Sequence, residues 1–179
     1  MRKTAKFILV LAVALVLMLC FRAVAFTICT VDGEALSPMF CKGDRLLVNR
    51  WSYGLRVGSD DGLIGYTRIG RQTVSRGDIV AFENPANTDE VLIAQCQALP
   101  GDTVQWKERK MVVPGTVNCA GRDHYWMVAI GNDTTIDSNT LGFISEEQLI
   151  GRVTTIVYSH DPDEPFWKGW RHERTMQSL

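Results

Sequence analysis

The 179-residue sequence predicts an all-β domain, a barrel or sandwich of short strands, behind one apolar N-terminal segment. Three observations carry this. Beyond residue 28 the apolar residues recur at period two or in short runs, the spacing of strands rather than helices. Six Pro and fifteen Gly are spread along the chain and break those runs with turns. No stretch holds the 3.6-residue pattern of a long amphipathic helix. The length suits one anchored domain with a real core. A formal net charge of -1 gives no sign of nucleic acid as a partner.

The N-terminal segment is justified first. "MRKTAKF" carries Arg2, Lys3 and Lys6, and "FILVLAVALVLMLCF", Phe7 to Phe21, carries no charge. The run falls short of the roughly 20 residues that span a bilayer. Arg22 can snorkel toward headgroups, which extends the expected span to Ile28. Basic residues ahead of the run predict that end in the cytoplasm and the remainder outside. Ala23-Val24-Ala25 also reads as a small-x-small cleavage site, so an anchor and a cleaved leader both stand. Either way the domain is exported. The expected organisation is 1–28 basic end and transmembrane anchor, 29–160 β domain, and 161–179 an aromatic and basic tail.

The strands follow in order: 44–51, 77–84, 90–99, 102–106, 110–115, 125–131 and 151–159. Residues 145–149, "SEEQL", suit one short helical turn. Residues 52–75 are Gly-rich and weakly periodic, which predicts a long loop or projecting hairpin. The tail sets Trp167 and Trp170 among Lys168, Arg171 and Arg174. That mixture suits either a membrane interface or a solvated segment with Trp packed on the barrel.

Five cysteines are present. Cys20 lies in the apolar segment. Cys29, Cys41, Cys96 and Cys119 remain, an even number in an oxidising compartment, where disulfides and free buried thiols are both open. No CxxC pair points to zinc, and no cofactor is implied.

Six stretches then fall in a telling order: an apolar anchor, Gly33-x-x-x-x-Pro38, "GDRLLVNR", "RGDIVAFENP", "ALPGDTV" and "GNDTTIDSNTLGFI", before "IGRVTTIVYS". The order resembles the type I signal peptidases, membrane-anchored serine endopeptidases with a Ser/Lys dyad that process signal peptides during protein secretion. The resemblance runs from about residue 7 to residue 159. It implies a β-rich catalytic core behind one transmembrane helix, a bacterial inner-membrane location, and a single-pass chain with its domain on the periplasmic side.

The family's first box reads roughly G-x-S-M-x-P, and here Gly33, Glu34, Ala35, Leu36, Ser37 and Pro38 align with it. The nucleophile position falls on Ala35. The family's general base lies six residues before the Pro of L-P-G-D. Counting back from Pro100 gives Ala94, followed by Gln95. A serine hydroxyl needs a base to take its proton, and a Lys base must be neutral, which burial promotes. Alanine supplies neither group. Ser37 is disfavoured as a substitute nucleophile. In a strand it would sit about 7 Å from residue 35, whereas attack needs atoms within about 3–3.5 Å. Its simpler reading is a turn residue before Pro38.

The resemblance assigns Asp137 and Ser138 to a box that supports the lysine, with Asn139 where Arg is usual. Alternatively, Asp137 and Ser138 simply make an Asx-type turn. It also implies a groove for extended signal peptides, built from residues 31–36 and the strand near 90–95, with Gly33, Glu34, Leu36, Pro38, Ile93 and Gln95 as binding residues. Three functions are open: a non-catalytic homologue (a pseudoenzyme), an active peptidase whose dyad was removed, and an anchored structural or assembly subunit with a vestigial groove. The implied partners are signal peptides of exported preproteins, the membrane, and an active paralogue or the export machinery.

Overall fold

The structure, a computed structural model, describes residues 2–58, 65–131, 136–165 and 167–179. The elements in chain order are α1 (Arg2–Ala25), β1 (Phe26–Thr30), β2 (Asp44–Asn49), β3 (Leu55–Val57), β4 (Thr67–Ile69), β5 (Ile79–Asn84) and β6 (Asn87–Ala98). There follow β7 (Thr103–Trp106), β8 (Arg109–Val112), β9 (His124–Val128), α2 (Ser138–Leu141), β10 (Ile144–Ser145), β11 (Leu149–Ser159) and β12 (Gln177–Ser178). Glu146–Gln148 forms the short helical turn expected at 145–149, in 3-10 form.

The main sheet runs β1-β2-β11-β5-β6-β9-β10, with β12 added to β11. Its pairings are antiparallel. β5 reads "IVAFEN" because it is covered on both faces. Val80 and Phe82 enter one cluster with Ala94, Cys96, Tyr125, Met127, Ile144 and Leu149. Ile79 and Ala81 enter the other with Val31, Phe40, Leu46, Val48, Ile93 and Ile156. Phe40 and Phe82 are fully buried; each such ring contributes about 2–3 kcal/mol. β11 lies between β2 and β5 and bends at irregularities between Val153 and Thr155 and between Ile156 and Tyr158.

Several expectations change. The apolar segment does not continue to Ile28: the helix stops at Ala25, and "FTICT" pairs residue for residue with β2, from Phe26↔Asn49 to Thr30↔Arg45. Thr and Ile at alternate positions suit a pleated edge better than a helix end. Within α1 the run Phe7 to Phe21 carries no charge, and Phe7 to Leu11 are all more than 60% exposed. Among the described residues no helix is long and apolar enough to cross a membrane. The side chains of Arg2, Lys3, Cys20, Ala23 and Val24 lie outside the described residues.

The segment 52–75 is a hairpin, β3 against β4, with 59–64 outside the described residues. Arg68 fastens it by donating to the Gly54, Glu146 and Leu149 carbonyls. In the tail, Trp170 packs against Tyr158 and His160, whereas Trp167 is 77% exposed. Cys29, Cys41, Cys96 and Cys119 are free thiols, set on β1, the following turn, β6 and the surface beside a 3-10 turn.

Candidate functional site

A cleft of about 750 Å³ opens between β1 and β6. Its walls are Thr27 to Asp32 with Ala35 and Leu36 on one side, and Asn87 with Asp89 to Ile93 on the other, with Ile136 at one end. Consecutive residues line it, rather than alternate ones. Alternate residues would mean a sheet face; consecutive ones mean that the edges of both strands front the space. The pairing agrees. Among the described residues β1 pairs only with β2. β6 has β5 along one edge from Asn87 to Gln95, while β9 covers its other edge only from Gln95 to Ala98. Among the described residues, two rows of backbone groups therefore stand without strand partners, 60 residues apart in sequence and facing one cleft.

The first wall is held by a tight loop. Residues 35–39 are a turn, with Ser37 N–H donating to the Glu34 carbonyl (3.0 Å) and Phe40 N–H to the Leu36 carbonyl (3.0 Å). The strand geometry assumed for Ala35 and Ser37 therefore does not apply, because the chain turns between them. Val31 N–H donates to the Asp44 carbonyl and Gly43 N–H to the Val31 carbonyl, both at 2.9 Å, so the loop closes on its own base. Buried Phe40 fills its inside.

Gly131 abuts this loop. A Cβ there would collide with the Ala35 carbonyl oxygen, so only glycine permits the approach. The first and last sequence boxes are thus in contact. Asn132, Asp133, Thr134 and Thr135 of the last box lie outside the described residues. Asp137 makes the Asx-type turn: it caps α2, accepting from Asn139 N–H (2.9 Å) and Asn139 Nδ2 (2.9 Å). Ser138 is fully buried, and its Oγ accepts from Met127 N–H on β9 (2.8 Å).

Of the expected site residues, Ala35, Leu36 and Ile93 line the cleft. Gly33, Glu34, Ser37, Pro38 and Gln95 flank it without forming its walls. Ala94 is fully buried and faces the opposite side of β6, among Phe82, Met127 and Tyr125. Ser138 meets that side through Met127, the cross-strand partner of Cys96. The wall residues Thr27, Cys29, Asn87, Asp89, Val91 and Ile136 were not legible as site residues in the sequence. The period-two "FTICTV" was the signal for the first two, masked by the apolar run before it. Burial raises the Cys29 thiol pKa, so the cleft's cysteine stays protonated and is a poor nucleophile.

Comparison with known proteins adds to this geometry. The sequence profile described as "Signal peptidase, peptidase S26" matches residues 4–120. The chain is 35% identical over 135 residues to the mitochondrial inner membrane protease subunit 2 of Saccharomyces cerevisiae, covering 73% of this chain and 67% of that protein. It is 29% identical over 91 residues to signal peptidase I of Buchnera aphidicola, covering 49% of this chain and 28% of that one. It is 32% identical over 85 residues to signal peptidase I V of Bacillus subtilis, covering 48% and 40%. The matches thus span well under half the length of these two bacterial relatives.

Proposed function

The chain belongs to the signal peptidase family, peptidase S26, and from that premise we propose that it binds signal peptides as extended strands in the cleft between β1 and β6 without cleaving them. One observation carries this reading: two unpaired strand edges face a common cleft, with the apolar side chains of Val31, Leu36, Val91 and Ile93 along it. An extended peptide offers backbone N–H and C=O groups to both edges, and small side chains suit the shallow apolar walls. Backbone recognition requires no serine and no lysine.

The catalytic half is disarmed. Ala35 holds the nucleophile position and Ala94 the general-base position, so no group can be acylated and no amine can take a proton. The buried surroundings of Ala94 are of the kind that keep a lysine neutral, which supports that assignment. The burial of Ser138 beside the same cluster supports its role in the box behind the base. α1, uncharged from Phe7 to Phe21, attaches the domain to a membrane, with the basic end inside and the β domain outside. An active paralogue or the export machinery would then act on what the cleft holds.

The test is amide hydrogen exchange of the full chain in detergent micelles with a synthetic peptide ending in Ala-x-Ala. Protection is expected at residues 27–32 and 90–93, with the peptide recovered intact. Turnover of the peptide, abolished by Ser37→Ala, would overturn the non-catalytic reading. Absence of protection in the cleft would favour the anchored assembly subunit instead.

A further inference from the structure

A second cleft, of about 630 Å³, lies beside β6 farther along the same strand. Its floor holds Ala98, Trp126 and Val128, and its rim holds Gln97, Gln105 and Asn139. We infer that it is a subsite for the stretch of polypeptide that continues out of the first cleft, on whichever side of the bound segment leads there. This rests on the reading of the first cleft as a peptide groove.

Three features carry the inference. The open edge of β6 ends at Gln95, where β9 joins it through Gln95↔Val128. A peptide strand paired along Glu90 to Ile93 cannot continue in the sheet plane beyond that point and must leave over one face. The face bearing Ala94 and Cys96 is closed by core. The other face bears Gln95 and Gln97, both exposed.

The second cleft opens on this exposed face. Residues two apart on a strand share a face, and so do cross-strand partners. Ile93 and Gln95 on β6 therefore lie on the side of Val128 and Trp126 on β9. Ile93 itself packs in the cluster next to the first cleft. The second cleft is thus placed farther along β6 on the face over which a peptide leaving the first cleft would run.

The chemistry of the second cleft fits a peptide as well. Carboxamide side chains both donate and accept, as a peptide backbone does, and Gln97 and Gln105 are exposed at the rim. Trp126 is fixed by edge-on contacts with Trp106 and Phe143, so the floor is preformed. The charged members, Arg76 and Asp102, are paired with each other, which leaves the cleft without a preference for charge. The expected ligand is an uncharged extended segment with an apolar or aromatic side chain for the floor.

Peptides of three lengths test this on the full chain in micelles: a core peptide filling the first cleft, and the core extended by four residues at either end. One extension is expected to tighten binding about tenfold, the equivalent of one or two net hydrogen bonds. It should also add amide protection at residues 97–98 and 103–105. Gln97→Trp and Gln105→Trp, at exposed positions, should fill the cleft and abolish the gain while core-peptide affinity stays unchanged. If both extended peptides bind no tighter than the core, or the gain survives both substitutions, the subsite is overturned. If the core peptide leaves residues 27–32 and 90–93 unprotected, it is the groove reading that falls, and the subsite with it.

Discussion

Ala94 concentrates the chemistry at the scale of single residues. A lysine put there would extend from a fully buried position among Phe82, Met127 and Tyr125. Overpacking of this kind costs about 1–3 kcal/mol. Ala94→Lys alone is therefore expected to lower the thermal midpoint, by about 2–4 °C per kcal/mol for a chain of this size. Ala35→Ser with Ala94→Lys should recover cleavage after small-x-small sequences provided that the lysine amine extends out of the core to residue 35, whereas Ala35→Ser alone should not, for want of a base. A gel assay on a preprotein decides it; a folded double variant that does not cut would favour the assembly subunit.

Cys96, on the same strand face, gives a pH signature. Burial pushes its thiol up to about 12, and burial first also raises the Tyr53 and Tyr125 phenols. In the unfolded chain these groups ionise near their ordinary values, about 8.5 for Cys and about 10 for Tyr. Above about pH 8.5 the unfolded state thus binds fewer protons than the folded one, and stability falls as pH rises. Urea midpoints at pH 7.5, 9 and 10.5 should decline in that order. A flat series would show that these groups ionise alike in both states.

At the scale of elements, the C-terminal segment acts as a brace for the cleft's first wall. β12 lies on β11, with Thr155↔Ser178, and brings Arg174 under the loop that carries Ala35. Arg174 Nη2 donates to the Met39 carbonyl (2.7 Å) and to Asp44 Oδ2 (2.9 Å). Asp44 is fully buried, and the same oxygen accepts from Cys41 N–H (2.9 Å). Removing the guanidinium leaves a buried carboxylate without its counter-charge. Arg174→Met is expected to cost about 3 kcal/mol, read as a shift in urea midpoint. It should also raise exchange of the 39–44 amides above that of β5. Arg174→Lys should restore part of the stability, since a lysine supplies the charge without the fork. Equal losses in both variants would point to shape rather than charge.

The whole molecule presents a β domain and a helix, α1, whose described apolar side chains are largely exposed. Ile8, Leu9, Val10, Leu17 and Met18 are each more than 60% exposed. On the proposed reading of α1 as a membrane attachment, these exposed apolar side chains would be covered by lipid. The full chain is expected in the membrane fraction after carbonate extraction, and a chain without residues 1–25 in the soluble fraction with an unchanged β-type circular dichroism spectrum. Protease added outside spheroplasts should then digest the domain. Release of the full chain by carbonate would rule out α1 as an integral anchor.

Much was legible in the sequence because much was local. Period-two runs marked seven strands, since alternation of apolar and polar residues is a property of each segment alone. Gly33, Pro38 and the "ALPGD" box set the register in which Ala35 and Ala94 are proposed to hold the nucleophile and base positions. Other features depended on distant partners. Phe26–Thr30 became a strand because β2 was there to pair with it, and the weak period-two signal of "FTICT" was masked by the apolar run before it. The cleft exists because, among the described residues, β1 and half of β6 lack neighbours on one edge, a property of the sheet order and not of either strand. The opposite aspects of Ile93 and Ala94, one on the cleft and one in the core, follow from which cluster each side of the curled sheet encloses. Sequence determined seven of the strand segments, because alternation is local to each. Tertiary pairing decided which edges remained open, because a strand's free hydrogen-bonding groups are set by the strands that do not lie beside it.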